Sequence, residues 1–139
     1  MAVDLTFPIE FNVPGTPVSL QAKRARSKEA WKEKVRAASR GVVPEGHFAT
    51  ERPVAVTLYY FTALTRTGDI DNIVKPTLDA LIRHIYLNDG QVERIVAQKF
   101  KPGDVLPFAA PSPILTEALQ SPRPLVYIKL SDDPFEDLT

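Results

Sequence analysis

A chain of 139 residues with 44% apolar and 24% charged content fits one globular domain, large enough to bury a core without staples. It contains no cysteine, which excludes disulfides, thiolate zinc sites and a cysteine nucleophile. Lys plus Arg and Asp plus Glu balance at 17 each, but unevenly: residues 21–40 hold eight cations against two anions, while Asp132, Asp133, Glu136 and Asp137 crowd an acidic tail.

The amino terminus has no basic segment followed by an apolar stretch, and no apolar run approaches a bilayer span, so a cytoplasmic protein without membrane association is expected. Leu5 to Val13 reads as a first strand, ended by the turn Pro14-Gly15-Thr16-Pro17. Ser27 is placed to cap a helix running to about Ser39, with Ala30, Trp31, Lys34, Val35 and Ala38 along one stripe and Gly41 stopping it. Pro53 to Thr62 is the clearest strand. Val54, Val56, Leu58 and Tyr60 alternate with Ala55, Thr57, Tyr59 and Phe61, and two apolar faces suggest a central position.

A second helix should start within Asp71–Pro76 and continue to about Tyr86, because Val74, Leu78, Leu81, Ile82 and Ile85 share one face. Pro76 disfavours helical geometry at Lys75, which makes an irregular first turn the expectation. Asn88-Asp89-Gly90 is a turn signal, and Val92 to Lys101 resembles a strand. Residues 101–124 are Pro-rich, with Ser112-Pro113 opening a short helix over Ile114–Gln120; Leu125 to Ser131 is a last strand. With no repeat and no linker, the expectation is an α/β fold in one domain over 1–139: a mixed β-sheet packed by two main helices, order β-α-β-α-β-β, with an insert at 101–124 and an acidic tail at 132–139.

The run Gly68 to Asp79 carries the chemistry. It holds Asp69, Asp71 and Asp79 with Lys75, and Asp89 follows the helix. Carboxylate oxygens are the ligands that hard divalent cations prefer, and clustered carboxylates repel unless a cation balances them. Bound Mg²⁺, with Mn²⁺ as its substitute, would ready a water for attack on phosphorus, and Lys75 would meet phosphate or transition-state charge. The plainer alternative is a capped helix with a solvated Asp71–Lys75–Asp79 ladder, and Asp79 is read first as a structural salt bridge. A helix of about fifteen residues spans roughly 22 Å, so spacing alone does not return Asp89 to Asp69; a tertiary arrangement, a second subunit among the options, has to close that gap. An EF-hand loop counted from Asp69 fails at Val74 and Ala80, where Gly and Glu are needed. Nor does Asp69 follow a buried strand directly, as a phosphatase-type nucleophile would, since Thr65-Arg66-Thr67-Gly68 intervenes.

Asp69-Ile70-Asp71-Asn72-Ile73-Val74-Lys75, then Leu78-Asp79-Ala80-Leu81, then Asn88-Asp89-Gly90-Gln91-Val92, closely resembles the RusA family of Holliday junction resolvases. Phe11-Asn12-Val13-Pro14-Gly15-Thr16-Pro17 with Arg24 and Arg26 downstream is similar to that family's first strand and basic loop. The resemblance implies a RusA-like fold and a homodimeric, Mg²⁺-dependent endodeoxyribonuclease that nicks four-way DNA junctions symmetrically in recombination and repair. By the same resemblance Asp69, Asp71 and Asp89 match metal-binding carboxylates, and Lys75 matches a required lysine. The other function class is a non-cleaving DNA- or partner-binding protein on the same scaffold.

Lys23, Arg24 and Arg26, with Arg66 ahead of the first aspartate, are the candidate DNA contacts; for Lys32, Lys34 and Arg36 a solvated helix face weighs equally. Trp31 sits among apolar helical positions and reads as core or interface. His47 and His84 lack partner histidines at ligand spacing and read as surface or packing residues.

Overall fold

In the computed structural model, residues 4–17, 25–64 and 70–136 are described, the side chains of 25–27 and 71–73 excepted. The elements form in the expected order: β1 (Ile9–Pro14), α1 (Ala25–Arg40), β2 (Val54–Phe61), α2 (Ile70–Leu81), β3 (Val92–Phe100), α3 (Pro113–Gln120) and β4 (Leu125–Ser131). The four strands make one mixed sheet in the order β1-β4-β2-β3, with β4 antiparallel to both neighbours and β2 parallel to β3. A parallel pair needs a crossover connection, and α2 supplies it between β2 and β3.

Alternation along the strands sorts the core into two layers. Ile9, Phe11 and Val13 of β1, Val54, Val56, Leu58 and Tyr60 of β2, and Val126, Ile128 and Leu130 of β4 face one side. There they meet Trp31 and Val35 of α1 and Leu78 and Leu81 of α2. Burying each such side chain is worth about 1.5–3 kcal/mol, so this layer dominates stability. Phe61, Phe100, Leu125 and Tyr127 point the other way and are covered by Leu115 and Ala118 of α3, with Phe108 from the Pro-rich segment packed alongside. The two-sided, central place read for β2 therefore holds. Its β3 neighbour is an edge strand on which Ile95 is half exposed.

The Pro-rich stretch is tied down at its helix. Ser112 caps α3 by accepting the Leu115 amide at 3.1 Å and donates its own proton to Glu10 at 2.6 Å; Tyr127 also donates to that carboxylate. Asn12 Nδ2 donates to the Ile114 carbonyl at 3.0 Å, so β1 holds both ends of the helix entry.

Some boundaries differ from the sequence reading, each for a local reason. The first strand starts at Ile9, not Leu5, because only from Ile9 onward does β4 offer ladder partners, Ile9 opposite Leu130. On α1 the inward stripe is Trp31, Val35 and Ser39, spaced by four, with Ala38 partly buried; Ala30 and Lys34 are exposed. Trp31 is core, as expected, and its Nε1 donates to Thr77 Oγ1 at 2.9 Å, which joins α1 to α2. The largest change is in α2, which stops at Leu81 instead of Tyr86.

Candidate active site

The end of α2 decides where Asp89 goes. The last four carbonyls of a helix have no partner within it. Here each finds a donor: Leu78 O takes the Tyr86 hydroxyl at 2.6 Å, Asp79 O the Ile82 amide at 3.3 Å, Ala80 O the Nε of Arg36 at 3.1 Å, and Leu81 O the Ile85 amide at 2.9 Å. Arg83 adopts a left-handed φ of 66°, and the Thr50 amide binds Ile85 O at 2.8 Å. The apolar stripe continues through fully buried Ile85 and Tyr86, but in a tight reversal and not in a helix. That is why the 3.6-residue pattern overran the helix end.

The reversal carries the chain back along α2. Lys75 Nζ donates to Asp79 Oδ1 at 2.8 Å and reaches Asp89 Oδ2 at 3.5 Å. Asp89 therefore returns to the polar face of α2 within one chain. Asp71 occupies the helix one turn before Lys75, and Asp79 one turn after. Pro76 lies inside α2, at the seventh of its twelve residues, so Lys75 is helical despite the proline that follows.

The electrostatics assign Lys75 a charge. Its hydrogen bond to Asp79 raises its pKa above the ordinary lysine value, with Asp89 adding to the effect and partial burial opposing it. It is an ammonium throughout the neutral range and cannot act there as a general base. Asp79 is the more enclosed carboxylate, with its side chain 27% exposed against 67% for Asp89. Asp79 thus tethers the lysine, as the salt-bridge reading expected, and Asp89 stays open to solvent.

The turn bearing Asp89 is a short 3-10 segment over Asp89–Gln91, capped by Asn88, whose Oδ1 accepts the Gly90 amide at 3.0 Å. Gln91 closes it. Its Oε1 accepts the amides of Leu87 at 2.8 Å and Asn88 at 3.1 Å, and its Nε2 donates to the carbonyls of Thr50 and Arg52, both at 2.9 Å. Sequence reasoning named Asn88 and Gln91 only as neighbours of the acidic turn. The signal was present in Asn88-x-x-Gln91, a capping-box pattern.

Of the remaining candidates, Lys23, Arg24, Arg66 and Asp69 lie outside the described residues, as do the side chains of Arg26 and Asp71. No three His, Asp or Glu side chains among the described residues stand close enough together to hold a metal ion. Lys32 pairs with Glu29 at 3.4 Å and Arg40 with Glu33 at 2.9 Å, while Arg36 caps α2. These α1 cations are engaged within the fold. His47 and His84 are packed together, ring centroids 5.1 Å apart and roughly perpendicular. His84 Nε2 lies 2.6 Å from Ser39 Oγ, and His47 Nε2 lies 2.7 Å from the His84 carbonyl oxygen, so both serve the loop after α1.

A four-stranded mixed sheet with α1 and α2 on one face, carrying a charged lysine between two carboxylates on the exposed side of α2, defines an α/β domain with its polar site on the crossover helix. The chain belongs to the RusA family: the model of the family described as Endodeoxyribonuclease RusA matches residues 14–105. That span runs from the end of β1 through β3 and takes in every candidate site residue; α3 and β4 lie beyond it. The fold is accordingly RusA-like. No curated relative matches the chain. No helix among the described residues is long and apolar enough to cross a membrane.

Proposed function

We propose that this protein is a divalent-metal-dependent endonuclease that resolves four-way DNA junctions by paired nicks, working as a homodimer in DNA recombination and repair. The observation that carries the reading is the return of Asp89 to Lys75 at 3.5 Å, one helical turn from position 71, in a chain of an endodeoxyribonuclease family. Asp89 is an exposed oxygen donor of the type Mg²⁺ takes, and Asp69 and Asp71 would complete its set. The bound ion would neutralise the carboxylates and activate a water toward the scissile phosphate.

The chain's own residues divide the remaining work. Lys75, held cationic by Asp79, offers a fixed positive charge to the phosphoryl oxygens as negative charge builds on them. Lys23, Arg24, Arg26 and Arg66 would neutralise junction phosphates; on α1, Lys32 and Arg40 pair with Glu29 and Glu33 and Arg36 caps α2. A twofold-symmetric dimer suits a junction in which two strands of like polarity are cut at related positions.

The test is cleavage of a synthetic four-way junction. Purified protein with Mg²⁺ or Mn²⁺ should introduce paired nicks, a chelator should stop them, and Asp71→Asn should bind the junction while cutting far less. Junction binding without cleavage at every metal concentration would return the protein to the non-cleaving alternative.

A further inference from the structure

We propose that Gln91 is a positioning residue for Asp89: its amide rivets the acidic turn to the strand entry at Thr50 and Arg52. The proposal rests on the metal-dependent reading of the site given above. A glutamine amide offers two N–H donors and a carbonyl oxygen with two lone pairs. Gln91 uses all of them, two on the turn at Leu87 and Asn88 and two on the lead into β2. The amide can sit only one way round, since the reverse orientation would set its NH₂ against two amides and its oxygen against two carbonyls.

The chain entering the turn is anchored as far as Tyr86, through the Thr50 amide to Ile85 O at 2.8 Å and the Tyr86 hydroxyl to Leu78 O at 2.6 Å, but residues 87–90 beyond it have few holds of their own. Leu87, Asn88, Asp89 and Gly90 are all exposed, so apolar packing does not hold them. The Asn88 cap and the bond from the Gln91 amide to Asn88 O at 3.2 Å are internal to the turn and would move with it. The Lys75–Asp89 contact joins two flexible side chains in solvent. The Asp89 backbone is held by the Tyr86 anchor on one side, the start of β3 on the other, and the Gln91 side chain across the turn. Asparagine is one methylene too short for this span, and glutamate would face two carbonyl oxygens with a charge and no donor.

The experiment titrates Mn²⁺ into the full-length protein by electron paramagnetic resonance, alongside junction affinity measured in Ca²⁺. Gln91→Met should weaken Mn²⁺ binding at least tenfold and leave junction affinity within twofold. In an Asp89→Asn background the same substitution should cost less than twofold more, because the ligand it positions is already gone. Unchanged Mn²⁺ affinity, an equal loss in both backgrounds, or a parallel fall in junction affinity would each overturn the role. Should Gln91→Met fail to fold, hydrogen exchange on the unaltered protein decides: the exposed Leu87 and Asn88 amides must be protected, and free exchange overturns the clamp. An unaltered protein that binds no Mn²⁺ and cuts no junction overturns the functional reading together with this one. One that does both while Gln91→Met matches it overturns the role of Gln91 alone.

Discussion

Lys75 and Asp89, fourteen residues apart in the chain, face each other at 3.5 Å because the segment between them folds back on the helix that carries the lysine. The lysine is charged and the carboxylate is exposed, an arrangement suited to electrostatic catalysis on a phosphate and unsuited to proton abstraction by Lys75.

Replacing Lys75 by methionine should lower cleavage by roughly a hundredfold while junction binding changes little, as for loss of one charge that meets the negative charge developing in the transition state. The raised pKa also fixes a sign. Lys75 keeps its proton beyond the ordinary lysine range, so the pH–rate profile of the unaltered enzyme has no falling limb from this residue between pH 7 and 9. Single-turnover rates across that window check both points.

Asp79→Asn separates tether from ligand. Lys75 loses its closest partner, so cleavage should fall by about tenfold through misplacement of the ammonium. Mn²⁺ affinity should stay within twofold, in contrast to Asp89→Asn. A loss of metal binding equal to that of Asp89→Asn would make Asp79 a ligand instead.

Tyr86→Phe removes a single oxygen from a fully buried side chain and leaves Leu78 O without its donor. An unsatisfied buried carbonyl costs about 1–3 kcal/mol, readable in urea unfolding. Burial also pushes the Tyr86 hydroxyl well above the usual tyrosine range, so it remains a donor at any working pH.

Trp31→Ala should be the most damaging of these changes to stability, about 3–5 kcal/mol, from the cavity between α1 and α2 and the lost bond to Thr77. Junction affinity per folded molecule should not change. A large, stability-independent loss of binding would give the indole a direct part in DNA contact.

His84 supplies a pH dependence of stability. Burial, then the neighbouring His47, Arg40 and Arg36, lower its pKa from the ordinary 6.5. The unfolded chain therefore takes up this proton at higher pH than the folded one, so the contribution of neutral His84 is complete above about 6.5 and lost as pH falls below it. Unfolding free energies between pH 7.5 and 5 should decline, and His84→Gln should flatten the slope.

Much of the architecture could be read from periodicity. Strict alternation at Val54–Phe61 gave β2 its place within the sheet, and β4 matched its expected bounds at both ends. Where the reading missed, the competing force was tertiary. Ile82 and Ile85 continue the apolar pattern of α2 because the reversal buries them against the same core, and periodicity does not distinguish a helix from a turn that is equally buried. The acidic residues stood out in the sequence, but the closeness of Asp89 to Lys75 did not, because it depends on donors supplied from distant positions: Arg36 on α1 and the Thr50 amide before β2.

The four donors that finish α2 turn residues 82–88 into a ruler of fixed length. One residue more or fewer there would shift Tyr86 away from Leu78 or Asp89 away from Lys75, so lineages descended from this chain should keep that interval invariant. The stretch 102–106, ahead of the packed Phe108 and with Val105 90% exposed, faces no such constraint and is free to lengthen, shorten or acquire new partners without disturbing the Lys75–Asp89 pair.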